Sequence, residues 1–136
     1  MPKLKVLIPL DGTDISLHSV DWLKKYFAPS EVEVTLINVM EVLYTREMFA
    51  VTELEGLQAD SMKTLIIGEA ALPGYLVNKI NVLGFSSDEI LKEAKTGNYD
   101  MIVMTKSSLS GVGRFVGSVT SKVMRNSPTA VVVIPN

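Results

Sequence analysis

Strand-type and helix-type segments alternate along the whole chain, and most of the strand-type segments are apolar almost without interruption. Lys5 to Leu10 reads Lys-Val-Leu-Ile-Pro-Leu; Met101 to Met104 and Ala130 to Ile134 are wholly apolar. A strand with apolar side chains pointing both ways must be covered on both faces, which places it in the middle of three layers. Between these runs lie helix-period stretches. Leu17, Val20, Leu23 and Phe27 recur at helical spacing before Pro29, and a weaker pattern runs from Glu53 to about Leu72 before Pro73-Gly74. Ser86-x-x-Glu89 has the form of a capping box opening a helix that ends near Gly97. A last helix is expected from Ser118 to Asn126. Further strands are expected over 32–40 and 79–84. Such alternation means crossover units, and therefore an α/β, three-layer fold. The expected form is a mostly parallel five-stranded sheet with helices on both faces, Rossmann-like in outline.

With 136 residues, no repeat and no linker-like break, the expected organisation is one domain over residues 1–136. Every apolar run is far shorter than a membrane span, so no membrane partner is expected. The amino terminus shows no leader pattern, and there is no cysteine for a disulfide or a thiolate metal site. A cytoplasmic location follows as an expectation. Net charge is −2, unevenly spread. Residues 101–136 hold Lys106, Arg114, Lys122 and Arg125 and no acid, which leaves −6 for residues 1–100. That suits an anionic ligand, although a chance basic surface reads the same way. Four cations with little aromatic interleaving make no nucleic-acid footprint.

In an open parallel sheet, ligands bind beyond the carboxyl ends of the strands. Three stretches stand there: Asp11-Gly12-Thr13, Val39-Met40-Glu41, and the Ser/Gly-rich run from Thr105 to Ser118. In the last, small residues permit close backbone approach and a helix amino terminus favours negative charge. A plain connection with Ser118 as N-cap satisfies the same spacing. Asp11 before Gly12 is also a turn former, with Thr13 or Asp14 available to cap the following helix. His18, the one histidine, falls on a polar helix face, and no nucleophile–base pair or Walker A lysine is visible.

The stretch from Val6 to Thr13, with Ser16 opening a helix, resembles the first strand and turn of universal stress proteins. Asp100 to Met104, Gly117-Ser118-Val119-Thr120, and Ser127 to Pro135 are similar to that family's carboxyl-terminal half, and Ser86 to Leu91 to the segment between. The resemblance implies an adenine nucleotide alpha-hydrolase-like fold and ATP, or another adenine nucleotide, as ligand, with nucleotide-associated magnesium as its only metal. It implies that Asp11 and Val39 lie at the adenosine end, although Val39 reads equally as plain core. Ser107, Ser108, Gly117, Ser118 and Val119 would lie at the phosphates with Lys106 or Arg114 nearby, and Pro9 and Thr105 are further candidate nucleotide-binding residues. Gly117-Ser118 matches the end of the family's ATP-binding loop. Its two earlier glycines are replaced, by Thr105 and Ser108 when aligned on the strand, or by Met104 and Ser107 when aligned on spacing. A side chain where glycine is needed costs space and about 1 kcal/mol or more. Two function classes follow. One is a stress-response regulatory module that binds an adenine nucleotide weakly, with slow hydrolysis at most. The other is a nucleotide-free interaction or signalling module. Both imply a homodimer joined through the terminal strand, 129–134, whose apolar edge needs covering.

Overall fold

The computed structural model describes residues 2–41, 51–107 and 116–135. Five strands, β1 (Leu4–Pro9), β2 (Val32–Met40), β3 (Leu76–Leu83), β4 (Met101–Thr105) and β5 (Ala130–Ile134), form one sheet in the order β3-β2-β1-β4-β5. Every pairing is parallel. Helices α1 (His18–Tyr26), α2 (Val51–Ala70), α3 (Ser86–Thr96) and α4 (Ser118–Asn126) fill the crossovers. The pleat sorts the side chains between two cores. Val6 and Ile8 of β1, with Val32, Val34 and Leu36 of β2, pack with Val20 and Leu23 of α1 and Leu65 of α2. Leu7, Ile37, Ile102 and Met104 point the other way, onto Ile90 and Ala94 of α3 and Val123 of α4. This is the three-layer arrangement that the apolar strands demand.

Several local expectations are corrected. β3 begins at Leu76 and not at Lys79, and α2 starts at 51 and ends at 70. The capping box does not form. Phe85 is the N-cap of α3, Ser86 is its first helical residue, and no side-chain cap bond is made there. The Glu41 carboxylate, arriving from the end of β2, accepts the Ser86 N–H at 2.9 Å and so serves the helix start from outside. Likewise Gly117, and not Ser118, is the N-cap of α4. Of the two capping residues offered before α1, Thr13 acts: its hydroxyl accepts the Ser16 N–H, and a 3₁₀ turn (Ile15–Leu17) leads into α1. The irregular excursion read at 41–52 lies, for residues 42–50, outside the described residues.

The chain runs β1, β2, β3 toward one edge and then returns to lay β4 and β5 on the other side of β1. The strand order therefore reverses between β1 and β4, and Pro9 sharpens the break. Lys5 directs its N–H toward the β4 side, onto the Asp100 carboxylate, whereas Leu10 donates to Ile37 of β2. Alternation points the nitrogen of residue 9 at β4, and proline has no hydrogen to give. The β1–β4 register stops at Leu7↔Ile102 while the β1–β2 register continues to Pro9↔Ile37. Beyond Leu7 the two central strands part, and a cleft opens.

Candidate functional site

The cleft measures about 280 Å³ and sits over the carboxyl ends of β1 and β4. Its lining includes the apolar residues Pro9, Ile37, Val39, Ile90, Met104 and Val119 and the polar residues Asp11, Ser16, Ser86, Thr105, Ser107, Ser118 and Thr120. Thr105, Ser107, Gly117, Ser118 and Thr120 come from the end of β4 and the start of α4, and make that end of the cleft polar. Eight of the residues expected from the sequence are thus gathered here: Pro9, Asp11, Val39, Thr105, Ser107, Gly117, Ser118 and Val119. Lys106 is not in the wall. Its N–H donates to Ile134 O (2.8 Å) and its carbonyl accepts the Gly117 N–H (2.9 Å), so its backbone ties β5 and the start of α4 together. Ser108 and Arg114 lie outside the described residues.

Asp11 does both things its sequence context suggested. One carboxylate oxygen accepts the Thr13 N–H at 2.9 Å and the Thr13 hydroxyl, which makes the turn that Gly12 completes at φ +89°, while the side chain lines the cleft. Asn38 holds the same corner from below. Its Nδ2 donates to Leu10 O at 2.8 Å, satisfying a buried carbonyl where β1 leaves the ladder.

At the polar end, α4 begins without a side-chain cap, and its first helical bond inside the chain is Ser121 N–H to Gly117 O. The N–H groups of residues 118–120 are therefore the orphan donors of a helix start, and all three residues line the cleft. The Thr120 hydroxyl donates to Thr105 O (2.8 Å) and fixes that helix start against the end of β4. Of the cations in residues 101–136, Lys122 pairs with Asp88 of α3 at 2.7 Å, and Arg125 sits in the last turn of α4. Asp11 is the one charged side chain in the described lining. No group of three or more His, Cys, Asp or Glu among the described residues could hold a metal ion. No described helix is long and apolar enough to cross a membrane.

Sequence reasoning missed Leu10, Ser16, Ile37, Ser86, Ile90, Met104 and Thr120 as lining residues. Ile37, Ile90 and Met104 carry an ordinary core signal. Ser86 and Ile90 arrive from α3 through topology, which no local spacing announces.

A cleft at the switch point of an all-parallel sheet, closed at one end by an uncapped helix start, defines a doubly wound α/β protein with its ligand position in the usual place. The Universal stress protein family profile matches residues 4–135, and the chain belongs to that family. A universal stress protein of Methanocaldococcus jannaschii is 27% identical over 150 residues, covering 96% of this chain and 81% of that protein. A universal stress protein solved in complex with cAMP shares the fold with a TM-score of 0.69, at 25% identity over 96% of each chain. An Arabidopsis thaliana member solved with AMP bound has a TM-score of 0.73 over 98% of this chain and 92% of its own, at 15% identity, a likeness of fold alone.

Proposed function

We propose that this chain is a cytoplasmic regulatory module of the stress response that binds an adenine nucleotide in the switch-point cleft. The carrying observation is the cleft itself, which joins an apolar slot (Pro9, Ile37, Val39, Ile90) to the orphan amides of α4. The slot suits a planar base, Asp11 suits ribose hydroxyls, and the α4 amino terminus suits phosphate oxygens. Relatives solved with cAMP and with AMP support the reading. Calorimetric titration of adenine nucleotides into the wild type and Gly117→Val tests it. Among the described residues, a Cβ at Gly117 meets Lys106 O and Ser107 Cα at 3.6 Å and Ser107 Cβ at 3.8 Å, all ordinary contacts, so the backbone tolerates it, but the branched methyls crowd the anion end. Saturable wild-type heat that disappears in a variant with unchanged circular dichroism is the expected result. Absence of heat and of thermal shift with every adenine nucleotide overturns the reading.

A second reading, a dimeric interaction module, draws on β5. This strand stands at the sheet edge beside β4, and its residues from Val131 to Ile134 are only half-buried. Pairing of two copies through this edge is compatible with either reading.

A further inference from the structure

Beside the cleft, and sharing Leu10 and Ser16 with it, lies a second hollow of about 50 Å³. It stands between the turn after β1 and helix α2, with Leu10, Asp14 and Leu17 on one bank and Thr64 and Ile67 on the other. That volume admits the tip of a side chain and is far too small for a metabolite. Leu10 is buried and Leu17 half-buried, but Ile67 keeps 46% of its surface exposed. The apolar surface also runs on past the hollow. Ile66 is 53% exposed, and Met62, one helical turn before it, is exposed as well. Single apolar residues on a surface are ordinary, but three adjoining ones beside an apolar hollow make a patch that a larger partner covers.

The border of this patch is acidic. Asp14 lines the hollow, is exposed, and spends no side-chain hydrogen bond on capping the helical turn that follows it. Asp60 stands one turn before Thr64, whose hydroxyl donates to the Asp60 carbonyl, and Glu53 lies two turns further back on the same side of α2. Over its length α2 carries Glu53, Glu55, Asp60 and Glu69 against Lys63 alone. Lys79 of β3 neutralises Glu69 at 2.8 Å, which leaves the acids nearer the hollow to set the local sign. Apolar surface with an acidic border is complementary to a segment that alternates aliphatic and basic faces. A second copy of this chain fits poorly, because a twofold pair through the patch sets Asp14 and Asp60 against their own images. We infer that the groove between the turn after β1 and helix α2 is a docking surface for a cationic amphipathic segment of another protein, whose aliphatic side chains cover Ile66 and Ile67 while a lysine or arginine meets Asp14.

The test is fluorescence anisotropy of a labelled amphipathic peptide of leucine and lysine, and of its leucine–glutamate counterpart. Each is titrated with the wild type, Ile67→Ser, Asp14→Asn and Glu55→Gln. All three substituted residues are exposed, so circular dichroism should be unchanged. The lysine peptide should bind saturably and more weakly as salt rises, and the glutamate peptide at least about tenfold more weakly. Ile67→Ser should weaken the lysine peptide about tenfold through lost apolar burial, and Asp14→Asn about threefold or more. Glu55 falls on the opposite side of α2 from Thr64, so Glu55→Gln, with the same change of charge as Asp14→Asn, should leave affinity unchanged. Equal binding of both peptides, binding of neither, or indifference to Ile67→Ser and Asp14→Asn overturns the inference. So does an equal loss in Asp14→Asn and Glu55→Gln, which reduces the peptide to a probe of net charge. Sedimentation of the same proteins, if Ile67→Ser lowers the assembly state, gives the patch to a second copy and rejects the partner. No nucleotide enters the titration, so its failure leaves the nucleotide reading standing.

Discussion

Tyr99 stands just before β4 with its ring 5.0 Å from Lys5 Nζ and its hydroxyl donating to the Glu93 carboxylate at 2.7 Å. Burial pushes its phenol up to about 12 from an ordinary value of 10.0; a hydrogen bond from Thr35 opposes the shift, and Glu93 adds to it. Below pH 10 the phenol is protonated in folded and unfolded chains alike, and its contribution to stability is complete. Between about 10 and 12 the unfolded chain releases the proton while the folded chain keeps it, so stability falls as pH rises through that window. The expected loss is at most about 3 kcal/mol, at 1.36 kcal/mol per pKa unit. Urea denaturation at stepped alkaline pH should show the wild type losing stability faster than Tyr99→Phe above pH 10. Parallel decline of the two proteins would reject the assignment. At this scale Asp11, Gly117 and Ser118 were readable in the sequence because turn and helix-start chemistry is local. Thr105 was readable as a departure from a glycine pattern, but its place beside α4 depends on Thr120, fifteen residues on, whose hydroxyl donates to its carbonyl.

Helix α2 shows how an element can be legible in kind and blurred at its ends. Its buried stripe is Ser61, Leu65 and Gly68, while Leu54, Met62, Ile66 and Ile67 stay exposed. Apolar residues on several sides weaken the helical period, so the sequence set its start two residues late. β3 is an edge strand whose first residues, Leu76 and Asn78, lie exposed, and it lacks the buried-type run that betrayed the central strands. The two glycines of α2 make opposite predictions. A Cβ on Gly68 would lie 2.5 Å from Leu10 Cδ1 and 2.9 Å from Leu36 Cδ1, because the helix presses against β1 and β2 there. Gly68→Ala should therefore destabilise by ~1 kcal/mol, overpacking of about 1–3 kcal/mol outweighing a helix gain of about 1. Gly56 has nothing within 4 Å among the described residues, so Gly56→Ala should stabilise by ~0.5–1 kcal/mol. Chemical denaturation of the two variants checks both signs. A stabilised Gly68→Ala would mean that the leucine ends yield freely.

Across the whole molecule, the apolar strands dictated the layers, and the reversal of strand order then created the cleft without any residue having to encode it locally. The same topology leaves β5 at an edge. Val132 and Ile134 reach into the core on the α1 side and Val131 into the core on the α4 side, yet all three keep part of their surface in water. Parallel pairing to β4 also leaves half of the β5 backbone groups directed away from the sheet. An edge that is apolar on both faces and short of hydrogen bonds is best closed by another strand, and on the dimeric reading a second copy's β5, related by a twofold axis, would supply one. The wild type should sediment as a dimer at micromolar concentration. Val132→Lys should shift it to monomer by setting like charges opposite each other near the axis. Val132 also packs against the core, so that variant is read together with Ala130→Lys. Ala130 is exposed, and its replacement leaves the packing alone. A weakened dimer in Ala130→Lys with unchanged circular dichroism assigns the edge. A monomeric wild type, or a dimer indifferent to both lysines, places the contact elsewhere.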